Sequence, residues 1–209
     1  MTIANPGQGL PGVSGWPHTT QAAQVVITER QARDRGWWEI MADQYWPDST
    51  VHLSWYDGDG NGFVAGSAAM ARRGVTALHR MFAPAVHARG DRAYVEAPVA
   101  MRLAIDVDGI AGNLTSYTRL NYRLARRGDR WRILSLNAIY ENATLTAAVP
   151  GEQIAVPAAE LAGFRQSYAL LAWNAARSGA SPSDDELGDD RPEEVAKFYA
   201  DTWHWLDVG

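Results

Sequence analysis

Apolar positions recur along this chain in two rhythms, one of about 3.6 residues and one of two, and the change between them divides it into helices and strands. Thr19 or Thr20 suits the cap of a first helix running to about Arg35, with Ala23, Val26, Ile27 and Ala32 as sparse apolar positions and Gly36 as its stop. Trp38, Met41, Ala42 and Tyr45 share one helical face, which predicts a short second helix stopped by Pro47. Val51, Leu53 and Trp55 then alternate over 50–56 as a strand. The run Asp57-Gly-Asp-Gly-Asn-Gly62 has turn chemistry, and 63–65 fits the return strand of a hairpin. Ser67 can cap a third helix reaching Phe82, with Val75, Leu78, Met81 and Phe82 on one face and Pro84 as its end.

Three long strands are predicted next, over 86–106, 111–125 and 130–146, joined by turns at Asp106-Val-Asp-Gly109 and Arg127-Gly-Asp-Arg130. Alternation is clear at Thr118, Leu120, Tyr122 and Leu124 and less regular at Val95, Val99, Met101, Leu103 and Ile105. A linker over 150–157, an Ala/Leu helix over 158–178, an acidic loop over 179–190 and a last helix opening at Pro192 complete the chain. Helices segregated from an antiparallel meander mean an α+β fold. The expected organisation is an extended N-terminal arm over 1–18, a main domain over 19–149 and a C-terminal helical extension over 150–209.

Composition narrows the function. Nineteen basic against 24 acidic residues leave a net charge of −5, so the basic surplus of a nucleic-acid binder is missing. Without cysteine there is no disulfide, zinc–thiolate site, iron–sulfur cluster or thiol nucleophile. No apolar run reaches the length of about 18 residues that spans a membrane, and residues 1–17 lack the charged and apolar parts of a secretory signal, so a cytoplasmic location is expected. His18, His52, His79 and His204 show no metal-ligand spacing, and no metal or cofactor is expected. Asp57-x-Asp59-x-Asn61-Gly62 starts like a calcium loop, but Ala68 stands where a bidentate Glu is needed. Nine Trp, eight Tyr and four Phe favour a pocket for flat apolar molecules.

Arg33-Asp34-Arg35-Gly36-Trp37-Trp38 at the end of the first helix and Gly128-Asp-Arg-Trp131-Arg-Ile133 entering the last strand carry a resemblance to the NTF2-like superfamily, in its SnoaL-like branch. The resemblance covers about residues 20–147 and implies a cone: a bent antiparallel sheet around the N-terminal helices, open to a ligand at one end. It also implies a site. Asp34 sits where scytalone dehydratase-like and hexachlorocyclohexane dehydrochlorinase-like members carry an aspartate. His87, in Ala83-Pro-Ala-Val-His87-Ala-Arg89, sits where they carry a histidine. The structural reading of each alone is plainer: a helix-end carboxylate beside Arg33 and Arg35, and a satisfied strand histidine.

As a pair, His87 is expected to remove a proton from carbon while Asp34 orients the ring. Tyr122 and Tyr56 are the candidate helpers. Val51, Leu53, Trp55, Trp38, Met101, Thr118, Leu120 and Asn137 are expected to line the substrate. Two departures accompany the match. No second histidine occurs in Val99-Ala-Met101-Arg-Leu103, and where dehydrochlorinase-like members carry an arginine on the last strand the local match is Ser135-Leu136-Asn137. The expected activity is a cofactor-free lyase acting on a small hydrophobic cyclic molecule. An isomerase or cyclase in the same pocket, and a non-catalytic ligand-binding or accessory protein, are the alternatives. No nucleic-acid or membrane partner is expected. A homodimer or higher homo-oligomer is, through an outer sheet face carrying Arg102, Arg119, Arg123, Tyr117 and Tyr140.

Overall fold

The computed structural model describes residues 16–208, so most of the expected N-terminal arm lies outside the described residues. Helix α1 (His18–Arg35) ends as the sequence predicts: Gly36 takes a left-handed φ of 72°, and its N–H reaches back to the carbonyls of Ala32 and Arg33. Its buried residues are Ala22, Val26, Thr28, Glu29, Arg30 and Ala32, more than one stripe can hold. The reason is enclosure, because β-strands wrap the helix and even its charged residues face protein. Helix α2 (Trp38–Ala42) is shorter than predicted and leads into β1 (Tyr45–Leu53). Pro47 sits within β1, where the pairing shifts register between Tyr45 and Thr50.

Two predicted elements are corrected. The return strand of the first hairpin is β2 (Tyr56–Asp59) rather than 63–65, and helix α3 spans Gly60–Arg72 rather than 67–82. Asp59 decides both: it ends the strand in extended conformation, and its carboxylate accepts the Gly62 N–H at 2.8 Å as the helix cap. Gly74 then stops the helix at a φ of 81°, with the Val75 N–H bonded to the Met70 carbonyl. The stretch predicted as the helix's second half is instead strand β3 (Ala77–Met81).

The first long strand is likewise two, β4 (Ala85–Arg89) and β5 (Arg92–Val107), folded back at Gly90. Strands β6 (Ile110–Arg127) and β7 (Arg130–Ala147) match the prediction closely. The predicted helix over 158–178 is broken into α4 (Ala158–Leu161), a 3-10 turn (Gln166–Tyr168) and α5 (Ala169–Arg177). The acidic loop contains a two-residue strand, β8 (Leu187–Gly188), ahead of α6 (Pro192–Asp207).

All eight strands form one sheet, ordered β2-β1-β7-β6-β5-β3, with β4 also on β5 and β8 also on β7. Its pairs are antiparallel except those of β1 and β8 with β7. The sheet is curved and unclosed. Its concave face presents Val95, Ala97 and Val99 of β5, Leu120, Tyr122 and Leu124 of β6, and Leu136, Ala138 and Tyr140 of β7, all buried in one core with Val26 and Ala32 of α1. The alternation the sequence shows is the division between this face and the convex one.

The C-terminal extension uses both faces. Tyr168 and Ala172 belong to the same core, with Phe164 and Leu171 packed against it. Helix α6 lies on the convex face. There Tyr199 donates to Glu96, Arg123 to Thr202, and Trp203 packs its edge on His87 and Tyr94. Two arginines of the face expected to meet a second subunit also have partners within the chain: Arg119 pairs with Glu96 and Glu141, and Arg102 donates to Asn113. Tyr140 faces inward, with its hydroxyl on Ser54.

Candidate active site

The end of α1 and the middle of β3 meet inside the curve of the sheet. Asp34 spans one residue of β3 with both carboxylate oxygens. Oδ2 accepts the backbone N–H of His79 at 2.7 Å, and Oδ1 lies 2.6 Å from its ring Nδ1. The side chains are 5% and 13% exposed for His79 and Asp34, so the contact is sheltered from water. An ionised carboxylate can only accept, so Nδ1 carries the proton and Nε2 is left with a free lone pair.

Burial disfavours a charged ring and pushes the His79 pKa down to about 4, against the opposing pull of Asp34 and with help from the nearby charges of Arg30 and Arg33. Burial alone would raise Asp34. Its bonds from His79 and the charge of Arg30 outweigh that and hold it below the usual carboxylate range. At neutral pH the pair is therefore a neutral imidazole beside a carboxylate.

Around this pair α1 supplies a second layer of charge. Arg30 forms a two-bond fork with Glu29, both buried, and Glu29 also accepts from the hydroxyls of Tyr45 at 2.9 Å and Tyr122 at 3.4 Å. Arg33, one residue before Asp34, differs. Its side chain donates no hydrogen bond among the described residues, its Nε is buried without a partner, and burial lowers its pKa to about 10. Its guanidinium sits 5.8 Å from the ring centre of Trp55 and 5.9 Å from that of Phe63. An orphaned guanidinium among aromatic rings is a ready donor for an anion or a polarised oxygen.

The sequence pairing of Asp34 with His87 is corrected. His87 is on β4 with its side chain on the convex face, exposed, its ring against Trp203 at 4.8 Å and stacked over Tyr94 at 6.3 Å. Strand alternation is the reason: Val86 and Ala88 take the concave side, so His87 cannot.

The candidate helpers separate. Tyr122 points inward as predicted, but its hydroxyl is committed to Glu29. Tyr56 donates to the Asp59 carbonyl at 2.8 Å, away from the pair, and is corrected as a catalytic candidate. Asn137 is paired in register with Asn121 and His52 on the convex face, the opposite side of the sheet from the pair, and is corrected as a lining residue.

Of the other expected lining residues, those on the sheet are concave. Met101 stands directly opposite His79 in the β3–β5 register, and Thr118 is buried with its hydroxyl 3.0 Å from that of Ser116. Leu120, Val51 and Leu53 are packed core. Trp38 packs half-buried against that core, and Trp55, 39% exposed, stands over Phe63 at 5.4 Å. Sequence reasoning missed His79 and Arg33. The signal for Arg33 was its place beside Asp34, while His79 was hidden in a stretch read as helix.

The fold has counterparts among solved structures. A type 2 hexachlorocyclohexane dehydrochlorinase (LinA) superposes with a TM-score of 0.51 at 15% identity, over 65% of this chain and 92% of that one. The LinA-type3 dehydrochlorinase of Novosphingobium barchaimii gives 0.49 at 16%, over 65% and 93%. A putative scytalone dehydratase of Novosphingobium aromaticivorans gives 0.48 at 13%, over 65% and 94%. No curated protein matches the chain. Residues 19–137, from α1 into β7, match the SnoaL-like domain family, and the chain belongs to that family.

Proposed function

We propose that this protein is a cofactor-independent lyase that eliminates a small leaving group from a hydrophobic cyclic molecule. His79 Nε2 takes a proton from carbon, and the electron pair of that C–H bond forms the new double bond. The leaving group, hydroxide or halide, departs with its own bonding pair toward Arg33. Asp34 holds the ring in the tautomer that exposes Nε2 and stabilises the imidazolium as it forms. Arg33 opposes that imidazolium but favours the negative charge developing across from it, which is where a base of low pKa needs assistance. Trp55, Phe63 and Met101 offer the apolar contact for a ring.

The observation that carries this reading is the double engagement of one carboxylate with the backbone and the ring of His79. With Nδ1 and the backbone N–H both held by Asp34, Nε2 is the ring atom left to act on a ligand. The type 2 hexachlorocyclohexane dehydrochlorinase that shares the fold is an enzyme of the same reaction class.

The test is turnover of a panel of hydroxylated and halogenated cyclic compounds, followed by mass. Loss of water or hydrogen halide marks elimination, and a product of unchanged mass marks isomerisation instead. His79→Ala and Asp34→Asn are expected to lower the rate by about 10²–10⁴-fold, the usual worth of a positioned base. His87→Ala, on the convex face, leaves it unchanged. Full turnover in a folded His79→Ala variant overturns the assignment.

A further inference from the structure

Near the other end of the strand order, at the C-terminal end of β1, a second group of ionisable side chains has no part in the chemistry above. His52 projects from the convex side of β1, since its neighbour Val51 is buried in the core. Glu186 immediately precedes β8, which pairs with β7 at Ile139 and Tyr140, just past the residues of β7 that hold β1. Asp185 adjoins it. One donor atom from each of His52, Asp185 and Glu186 lies within 4.8 Å of the others.

Three features of this group point to a cation. First, Glu186 is 1% exposed and its Oε2 is buried without a hydrogen-bond partner, yet it faces His52 Nε2 at 3.7 Å. A buried carboxylate oxygen with nothing to accept from is costly unless something bridges the gap. Second, the opposite ring nitrogen, Nδ1, lies 3.5 Å from Asp57 Oδ1. A carboxylate within reach of Nδ1 is the kind of partner that orients a metal-binding histidine, and Nε2 is the nitrogen that faces Glu186. Third, three carboxylates surround one imidazole, and the neighbouring cation is occupied: Arg165 pairs with Asp190 and otherwise donates to the main-chain carbonyls of Asp184 and Glu186. Asp185 also accepts from Ser183.

We propose that His52 Nε2, Asp185 and Glu186 bind a divalent transition-metal ion of the zinc class, with Asp57 as the orienting partner of His52. Donors on a tetrahedral zinc ion stand roughly 3.3 Å apart, so the side chains close by up to about 1.5 Å to bind one. Three protein ligands leave a further position for water. The spacing 52, 185, 186 has no sequence signature, because β8 brings the last two residues beside β1 from far along the chain. Bound there, the ion ties the segment entering β8 to the β1–β2 hairpin.

The experiment uses the full chain without a histidine tag, stripped with a chelator and titrated calorimetrically with zinc chloride, with the melting temperature followed in parallel. One equivalent is expected to bind and to raise the melting temperature. Glu186→Gln and Asp185→Asn should each weaken binding by at least about tenfold, and Asp57→Asn by about tenfold through the ring orientation. Absence of saturable binding overturns the site, as does equal affinity in the Glu186→Gln and Asp185→Asn variants. A proton shared between His52 and Glu186 is the competing bridge. It is recognised by a Glu186→Gln variant that melts higher than the parent while zinc leaves both unaffected, and that result also overturns the proposal. Should Glu186→Gln not fold, the exposed Asp185→Asn decides alone.

Discussion

His79 carries two obligations whose pH dependences run the same way. A ring held to about 4 in the folded chain and free to titrate near 6.5 in the unfolded one takes up fewer protons when folded between those values. Its contribution to stability is therefore full above pH 6.5 and is lost as the pH falls toward 4, amounting to about 3 kcal/mol across that window. Asp34, held below its ordinary value, adds a loss of the same sign at still lower pH. Urea unfolding between pH 7 and pH 4 should show a steady decline that is much reduced in His79→Gln. On the proposed mechanism the same neutral ring sets the rate profile: the acid limb of kcat/KM should inflect below 6.5, with circular dichroism confirming the fold at each pH. An acid limb at 6.5 or above would mean that another group is the base. Asp34 was legible through the resemblance carried by Arg33-Asp34-Arg35-Gly36-Trp37-Trp38, while its place at a helix end pointed only to a capping charge. His79 was not, because Val75, Leu78, Met81 and Phe82 match a helical stripe, and the strand that forms, Ala77–Met81, is too short to show a competing alternation.

That ambiguity belongs to the element scale, and Asp59 resolves it. In sequence, Asp57-Gly-Asp-Gly-Asn-Gly62 reads as hairpin turn chemistry, and a strand end followed by a helix cap uses the same residue types. In the fold, the turn is at Ser54-Trp55, ahead of β2, and Asp59 is the cap of α3. Gly60 behind it is fixed by packing, since a Cβ there would lie 2.5 Å from the Ser49 hydroxyl and 2.7 Å from the Tyr45 ring. Asp59→Ala should cost about 1 kcal/mol by denaturant midpoint, the common worth of a lost cap. The long strands were legible for the opposite reason. β6 and β7 are 18 residues each, and alternation over stretches such as Thr118, Leu120, Tyr122 and Leu124 is a period of two that a helix does not imitate. The C-terminal helix prediction failed where local composition misled: the Ala/Leu run carries Gly163 and is drawn into a 3-10 turn by the burial of Tyr168.

At the scale of the whole molecule, the extension after β7 is bound to the family domain by the same forces that hold the domain together. Tyr168 is 2% exposed, its ring 5.3 Å from that of Tyr140 on the concave face, and its hydroxyl donates to the Ser183 carbonyl at 3.1 Å. From there the chain crosses to the convex face, where α6 sets Trp203 against Tyr94 and Trp205 over Arg92 and Arg123. A segment that fills part of the core and covers the other side of the sheet cannot leave without exposing both. Tyr168→Ala should therefore destabilise the entire chain by about 3 kcal/mol, as a large aromatic deletion in a core does. It should do so in a single transition, with far-UV dichroism and tryptophan fluorescence coinciding. The nine tryptophans make this decisive, because Trp37, Trp38 and Trp131 report on the family domain while Trp173, Trp203 and Trp205 report on the extension. An early fluorescence step that leaves the sheet dichroism intact would show the extension unfolding by itself. The shared core predicts that no such step occurs.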